Sequence, residues 1–282
     1  MAVSNDVLEG PKSGTRSAAS PAALVSVGVL SFRALQTISR TLKAHRESGL
    51  IDCVGEFFVH FNAITPDDKE IAEEAGVRYT GTAQNLGIYG GFRAIAEQAQ
   101  NPYVLILEND VVPLPGAAVR QCLETCVSDM IEHCIRSFSM QNISRPSVCL
   151  SRSPPLLPRR KPRPSPNSEC SWSMAASTNS GRRRCFVSGI LRQCKNRPFA
   201  SFPAATTCTD SRYRNWSNQA VLVERQYLFD VVCHRVDEHP DPRLVNGHQD
   251  MERALNQRWW RCRRDRMGHA AEGIFTHRRL DR

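Results

Sequence analysis

The sequence lacks a long hydrophobic run. Its longest, from Ala22 to Leu30, is far shorter than the roughly 20 apolar residues that a membrane-spanning helix needs. No apolar run precedes Pro21, and the first residues include Asp6 and Glu9, so we expect neither a membrane span nor a secretory signal. There is also no G-x-G-x-x-G fingerprint, so a dinucleotide cofactor is not supported.

Acidic residues are scarce in the middle of the chain. The 282 residues carry a formal charge of +9, but residues 116–215 hold 16 basic and 5 acidic residues, a net of +11. The remainder holds 21 basic and 23 acidic residues, a net of −2. The positive charge is therefore local, and the rest of the chain gives no reason to expect a nucleic-acid partner.

The cysteines follow the same division, since eight of the eleven lie in residues 116–215. An odd number of thiols without a secretory signal indicates a reducing compartment. We therefore expect a cytoplasmic protein, with a peripheral position at the inner membrane face left open. Three of these cysteines, Cys122, Cys126 and Cys134, share one helical face and are predicted to be small buried residues.

Composition divides the chain into four segments. Residues 1–20 are small and polar and are predicted to form a disordered tail. Residues 21–115 and 216–282 have regular apolar patterns. Residues 116–215 begin with a predicted helix, Gly116 to Arg136, but then become rich in Ser, Pro and Arg, and we expect disorder across about 140–205.

The first regular segment alternates strands and helices. Apolar runs predict strands at Ala22–Ser31, Glu56–Phe61, Val77–Thr80 and Tyr103–Leu107. Helical patterns separate them, and the last of these predicts a helix from Gly90 to Ala99. Another helix has a clear start because Thr65 can cap it and Pro66 suits its first turn. Strands separated by helices predict an α/β fold with a mostly parallel sheet.

An acidic tripeptide, Glu108-Asn109-Asp110, directly follows the apolar strand that ends at Leu107. Ligands of parallel sheets bind beyond the carboxyl ends of the strands. Two carboxylates at that place can surround one hard cation such as Mg²⁺ or Mn²⁺. An acidic loop without a metal is the alternative that the tripeptide leaves open.

Together these features resemble the nucleotide-sugar half of a GT-A glycosyltransferase, with bacterial family-2-like enzymes as the nearest type. The stretches that carry the resemblance are VSVGVLSFRALQTISRTL (Val25 to Leu42), EFFVHFN (Glu56 to Asn62), QNLGIYGGFRAIAEQA (Gln84 to Ala99) and YVLILENDV (Tyr103 to Val111). The resemblance implies a GT-A, Rossmann-like sheet interrupted by the central segment. It also implies a glycosyltransferase that uses a nucleotide-diphosphate sugar, most often with inversion.

The resemblance also implies a nucleotide pocket. Ser31 and Arg33 would line it after the first strand, and Asn62, where many relatives carry an acid, would lie near the base or ribose. Asn85 and Gly87 would lie beside the ribose and diphosphate. An ordinary turn entering a helix remains the alternative for these last two residues.

The metal ligands are implied in the same way. Asp110, with Glu108 nearby, would hold a Mn²⁺ or Mg²⁺ ion that bridges the diphosphate. Some GT-A enzymes complete this site with a histidine from a late strand, and His277 is the candidate here. A solvent-exposed terminal histidine is the alternative.

A late helix is predicted from Gln249 to Trp260, and the resemblance implies that the catalytic base lies at its start. Gln249-Asp250 occupies the position where inverting GT-A enzymes often carry an acidic pair, so Asp250 would take the proton from an acceptor hydroxyl. Asp250 and Glu252 could instead serve only as favourable first-turn charges. The acceptor is not specified and could be a glycan, a lipid-linked molecule or a small molecule. Trp216 and the pair Trp259-Trp260 could stack on a sugar or simply belong to the core.

The basic segment leaves three interpretations open. It is an arginine-rich arm that binds nucleic acid, a linker that binds anionic lipid, or the product of a locally shifted reading frame. Two further functions therefore stand beside the enzyme: an inactive GT-A relative with a disrupted acceptor region, and a nucleic-acid-binding protein.

Overall fold

A nine-stranded mixed sheet forms the centre of the molecule. The structure is a computed structural model that describes residues 20–140, 198–199, 206–210, 216–256, 266–270 and 273–277. The strands in these ranges are β1 (Val25–Ser31), β2 (Glu56–Phe61), β3 (Arg78–Gly81), β4 (Tyr103–Glu108), β5 (Val111–Pro113), β6 (Ser137–Ser139), β7 (Pro198–Phe199), β8 (Thr206–Asp210), β9 (Ala220–Glu224), β10 (Leu244–Val245), β11 (His248–Gln249), β12 (Arg266–Ala270) and β13 (Phe275–His277).

Helices lie between these strands along the chain. Those in the described ranges are α1 (Leu35–Glu47), α2 (Leu50–Cys53), α3 (Pro66–Glu74), α4 (Gly87–Gln98), α5 (Val119–His133), α6 (Arg225–Tyr227), α7 (His234–Glu238) and α8 (Met251–Asn256). A 3₁₀ turn, Pro21–Leu24, precedes β1, and a π-helical turn, Leu228–Cys233, joins α6 to α7.

The sheet has the order β3-β2-β1-β4-β9-β6-β12-β8-β7. Strands β1 to β4 are mutually parallel, whereas β9 runs antiparallel to both β4 and β6. A parallel connection requires a crossover, and helices supply it between the first four strands. The predicted α/β fold with a mostly parallel central sheet is therefore confirmed. The antiparallel pairings of β9 with β4 and β6, and of β8 with β12 and β7, make the sheet mixed.

Both faces of the sheet are covered. Val27, Val29 and Leu105 are fully buried in one apolar cluster, and Phe58 and Ile106 are fully buried in a second one. Successive apolar side chains of one strand, such as Leu105 and Ile106, thus point into different cores. This is expected for parallel strands packed between helices. This explains why the strands appear in the sequence as continuous apolar runs.

Local signals located several elements well. Strand β2 has the predicted bounds, and α3 has the predicted start, where Thr65 and Asp68 form a reciprocal capping box. Helix α4 begins at Gly87, three residues before its predicted start. Strands β5 and β6 were not predicted, because three residues are too few to show a period.

The cysteine face of α5 was predicted only in part. Cys122 and Cys126 are buried as expected, whereas Cys134 is exposed, so its predicted burial is wrong. The physical reason is that α5 ends at His133, and Cys134 follows in the left-handed region with φ of 53°. The helical face therefore does not continue to that residue.

Some predictions fall outside the described part of the chain. The disordered tail, most of the segment 140–205 and the residues after Asn256 in the last predicted helix belong to this group. Within the described ranges, no helix has the length and apolar character that a membrane crossing requires.

Two histidines lie inside the apolar cores. His45 of α1 is fully buried between the rings of Phe57 and Phe275, at centroid distances of 5.7 and 6.3 Å. His60 of β2 is also buried, and its Nδ1 lies 2.9 Å from Thr80 Oγ1. Because burial disfavours the charged imidazolium, it lowers the pKa of His45 to about 3 and that of His60 to about 4.

The stability of the fold should therefore depend on pH. In the folded protein both pKa values lie below the 6.5 of an ordinary histidine, so between pH 6.5 and 4 the unfolded chain binds more protons than the folded one. The free energy of unfolding is therefore fully present above pH 6.5 and decreases as the pH falls towards 4. Each histidine should contribute a slope of about 1.4 kcal/mol per pH unit in that window. The measurement is urea unfolding between pH 7.5 and 4.5 for the parent and for His45→Phe.

The variant keeps an aromatic ring between Phe57 and Phe275 but cannot take up a proton. As the pH is lowered, its free energy of unfolding should decrease less steeply than that of the parent. Comparison of the two chains at pH 7.5 measures the packing effect of the substitution. Equal slopes for the two chains below pH 6.5 would contradict the expectation.

Candidate functional site

The candidate site lies where neighbouring parallel strands end. Leu30 of β1 pairs with Glu108 of β4, and Ser31 pairs with Phe61 of β2. The Asn62 amide also donates to the Ser31 carbonyl at 2.8 Å. Three predicted site residues, Ser31, Asn62 and Glu108, are thus brought to one edge of the sheet by strand pairing.

At this edge Glu108, Asp110 and His277 form a cluster. One ligand atom from each lies within 4.8 Å of those of the other two. His277 Nδ1 is 3.3 Å from Asp110 Oδ2, and His277 Nε2 is 3.7 Å from Glu108 Oε2. All three side chains are partly buried, with exposed fractions of 19 to 25%. His277 is therefore not a solvent-exposed terminal histidine.

The register of two short strands creates this cluster. Strands β4 and β5 are separated only by the turn Asn109-Asp110, which places both carboxylates next to β5. β13 pairs antiparallel with β5 so that His277 lies opposite Val111. The Leu114 amide also donates to the Ile274 carbonyl at 2.8 Å, which extends the same pairing.

The three side chains suit a divalent cation. Two ligands of one ion with bonds of about 2.1 Å lie at most about 4.2 Å apart, and the 3.3 Å between His277 Nδ1 and Asp110 Oδ2 meets that limit. Glu108 faces the other ring nitrogen, Nε2, and an imidazole gives one ion only one nitrogen. With one ligand atom from each residue the three lie within 4.8 Å, so a small side-chain movement brings all three within the limit. Among the described residues, the buried Asp110 Oδ1 has no hydrogen-bond partner, so it is available as a ligand. Two carboxylates with one imidazole fit Mn²⁺ better than Mg²⁺, which prefers all-oxygen surroundings.

Hydrogen bonds link Asn62, Asn85 and Gly87 on the other side of β1. Asn62 Nδ2 donates to the Gly87 carbonyl at 3.0 Å, and the Gly87 amide donates to Asn85 Oδ1 at 2.9 Å. Gly87 has φ of +70°, which glycine adopts without steric cost. The turn into α4 is therefore ordered by these two asparagines, while the buried Asn62 Oδ1 accepts no hydrogen bond from the described residues.

Ser31 and Arg33 occupy different environments. Ser31 is buried, and its Oγ has no hydrogen-bond partner within the described residues. Arg33 is exposed, with φ of +48°, and its guanidinium lies 5.2 Å from the Phe32 ring centroid. A non-glycine residue in this region is uncommon, so the chain makes a constrained turn directly after β1.

A β-hairpin precedes the predicted base, Asp250, in the chain and contacts the turn before α4. β10 and β11 pair around the turn Asn246-Gly247, and His248 of β11 packs on Gly87. A Cβ atom at Gly87 would lie only 2.4 Å from His248 Cβ, so the hairpin touches the turn before α4. Asp250 follows two residues after His248 in the chain.

Asp250 also has a structural role. Its Oδ1 accepts the Arg253 amide at 3.2 Å, which is an N-terminal cap of α8. Glu252 accepts the Asn218 amide at 2.6 Å and so holds the start of β9. The first-turn role considered for these two acids is therefore present, and it does not exclude proton transfer by the partly buried Asp250.

An open cleft of about 480 Å³ borders α8. It is lined by Asp241, Pro242, Arg243, Arg253 and Asn256. Of these residues, Arg253 donates a hydrogen bond from its backbone amide to Asp250. The aromatic candidate Trp216 is only 1% exposed, and Asn256 hydrogen-bonds its backbone, so Trp216 is a core residue. Trp259 and Trp260 lie outside the described residues.

Sequence patterns missed two contacts that hold the acidic turn, Glu108-Asn109-Asp110. The Glu108 amide donates to the Gln219 carbonyl at 3.3 Å, and Thr41 Oγ1 donates to the Asn109 carbonyl at 2.6 Å. Both partners are remote in the chain, and Thr41 shows only as one polar position on the inner face of α1. No local pattern indicates such a contact.

No protein-family model matches the sequence, and no curated protein matches it either. Solved structures do match. Staphylococcus aureus TarS 1–349 in complex with UDP-GlcNAc is 13% identical, and the match covers 92% of this chain and 59% of that one at a TM-score of 0.50.

Two further structures match a smaller part. The mannosyltransferase PcManGT from Pyrobaculum calidifontis, in complex with GDP-Man and Mn²⁺, is 17% identical, with coverages of 46% and 39% and a TM-score of 0.37. The glucosyl-3-phosphoglycerate synthase from Mycobacterium tuberculosis, with Mn²⁺, UDP and phosphoglyceric acid, is 18% identical, with coverages of 41% and 42% and a TM-score of 0.34.

The chain thus spans less than two thirds of each of these three structures. The match to TarS extends over 92% of this chain. The protein therefore has the fold of the GT-A glycosyltransferases.

Proposed function

We propose that the protein is a metal-dependent glycosyltransferase. It moves a sugar from a nucleotide-diphosphate donor to an acceptor hydroxyl, with inversion at the anomeric carbon. The observation that carries the proposal is the cluster of Glu108, Asp110 and His277 at the carboxyl edge of a GT-A sheet. The matched structures that contain GDP-Man, UDP-GlcNAc or Mn²⁺ support the same chemistry.

The donor would lie along the carboxyl edge of the sheet. Asn62 and Ser31 have buried polar atoms there without a partner among the described residues, and such atoms can bind the nucleoside. Asn85 and Gly87 shape the turn beside the diphosphate. Glu108, Asp110 and His277 would hold Mn²⁺ or Mg²⁺, which supplies positive charge to the diphosphate leaving group.

The acceptor would approach from the side of α8. Asp250 lies at the start of this helix, next to a cleft that Arg253 lines. As general base, its carboxylate would take the proton of the acceptor hydroxyl while that oxygen attacks the anomeric carbon. The capping bond uses Oδ1, which leaves Oδ2 for this proton.

The interpretation as an inactive relative makes a different prediction. It predicts a folded or partly folded N-terminal half without transfer, and an assay of released nucleoside diphosphate distinguishes it from the enzyme. The nucleic-acid interpretation rests on residues outside the described ranges, and the cytoplasmic location inferred from the cysteines stays a prediction.

The first test addresses the metal site. Parent protein and Asp110→Asn are titrated with Mn²⁺ and then with UDP or GDP in its presence, by isothermal calorimetry. Because Asn keeps the shape but loses the charge, Mn²⁺ affinity should fall by at least about 10-fold, and nucleotide binding should fall with it. Equal Mn²⁺ affinities would show that Asp110 is not a ligand.

Asp67→Asn is the matched control for this test. Asp67 is an exposed carboxylate in the first turn of α3, outside the cluster. The control removes the same charge and should leave Mn²⁺ affinity unchanged. A similar loss in both variants would indicate a general effect of net charge.

The second test addresses the base. With the donor that the parent turns over, Asp250→Asn should release nucleoside diphosphate about 10²- to 10⁴-fold more slowly than the parent does. Since Asn caps helices as well as Asp does, the stability and donor affinity should stay close to those of the parent. A panel of nucleotide sugars with Mn²⁺, assayed for released nucleoside diphosphate, identifies that donor.

Glu252→Gln provides the comparison in the same helix turn. Gln retains an oxygen that can accept the Asn218 amide, so turnover should persist. Full activity of Asp250→Asn would leave Asp250 with the capping role alone. Metal-dependent donor binding by a parent chain that releases no nucleoside diphosphate would identify an inactive relative.

A further inference from the structure

Helix α1 directs a polar group at the acidic turn. Its inner face consists of Ile38, Thr41, Leu42 and His45, all with exposed fractions of 1% or less. A threonine inside a helix commonly donates its hydroxyl to a carbonyl three or four residues earlier on the same helix. Thr41 instead donates to the carbonyl of Asn109, 68 residues later in the chain, at 2.6 Å.

The position of this carbonyl matters for Asp110. The Asn109 carbonyl and the Asp110 amide belong to one planar peptide unit. Holding the carbonyl therefore sets the plane from which the Asp110 Cα and side chain extend. The residue on the other side, Glu108, is held separately, because its amide donates to Gln219 of the chain entering β9. The turn is thus anchored on both sides of Asn109.

The same helix face reaches the strand that carries the third member of the cluster. One turn after Thr41, the His45 ring packs edge-on against Phe275, at 6.3 Å and 71°. Phe275 is the first residue of β13, and His277 is the third. Helix α1 therefore contacts both chain segments that supply the cluster, one through a hydrogen bond and one through a ring contact.

We propose that Thr41 is a positioning residue for the metal cluster, because its hydrogen bond to the Asn109 carbonyl orients the side chain of Asp110. This inference rests on the metal site in the proposed function. Thr41 itself touches neither metal nor substrate. Its loss should weaken the metal site without removing a ligand, and groups that orient ligands typically change metal affinity by about 10- to 100-fold.

The test uses the whole 282-residue chain and Mn²⁺ alone. Free Mn²⁺ is measured by electron paramagnetic resonance during titration of the parent, Thr41→Val and Thr41→Ser. Valine has nearly the shape of threonine but no hydroxyl, so the dissociation constant for Mn²⁺ should rise about 10-fold. Serine keeps the hydroxyl and should restore an affinity within about threefold of the parent, which a purely packing role for the methyl group would not produce.

Thr80→Val is the matched control. Thr80 is also fully buried and also loses one hydrogen bond, to His60, but it lies in β3 away from the acidic turn. Urea unfolding of all variants measures the general destabilisation. A 10-fold weaker affinity in Thr41→Val alone supports the inference, and an unchanged affinity in Thr41→Val overturns it. Equal weakening in Thr41→Val and Thr80→Val overturns it as well.

The remaining outcomes are also decisive. If Thr41→Val does not fold, Thr41→Ala takes its place, and the same comparison with Thr41→Ser and Thr80→Val decides. If the parent binds no Mn²⁺, the metal site of the proposed function fails together with this inference. If the parent binds Mn²⁺ and the Thr41 variants bind equally well, only the inference about Thr41 fails.

Discussion

The pairing of β13 with β5 is the constraint on which the candidate site depends. It places His277 opposite Val111, directly beyond the turn that carries Asp110. A shift of one residue would turn the imidazole to the other face of the ribbon, because side chains alternate along a strand. Two strands of three residues each thus decide whether this edge of the sheet carries two carboxylates alone or a cluster of two carboxylates and an imidazole.

Rigid elements hold the acidic turn from several directions. Gln219, before β9, accepts the Glu108 amide, and Thr41 of α1 donates to the Asn109 carbonyl. Helix α1 also packs on Phe275 through His45. A metal site gains affinity when its ligands are oriented before the ion binds. In the proposed function, the packing of α1 against the sheet would therefore raise the affinity of this edge for a metal ion.

Sequence patterns located the elements whose signals are local. β2 was bounded by its apolar run, and α3 by the capping box of Thr65 and Asp68. The acidic tripeptide is recognisable in the sequence because it directly follows an apolar run. β5 and β6 were missed because three residues carry no measurable period, and the burial of Cys134 was wrong because the helix ends one residue earlier.

Local sequence was sufficient for the α/β alternation and for the carboxylates after β4, since both depend on residues that are neighbours in the chain. The resemblance to GT-A enzymes suggested His277 and Asp250 as site residues, but not their surroundings. Tertiary structure alone decided that His277 lies between Glu108 and Asp110, and that the hairpin before Asp250 packs on Gly87. These contacts arise from strand register and helix packing between remote segments, which no local pattern encodes.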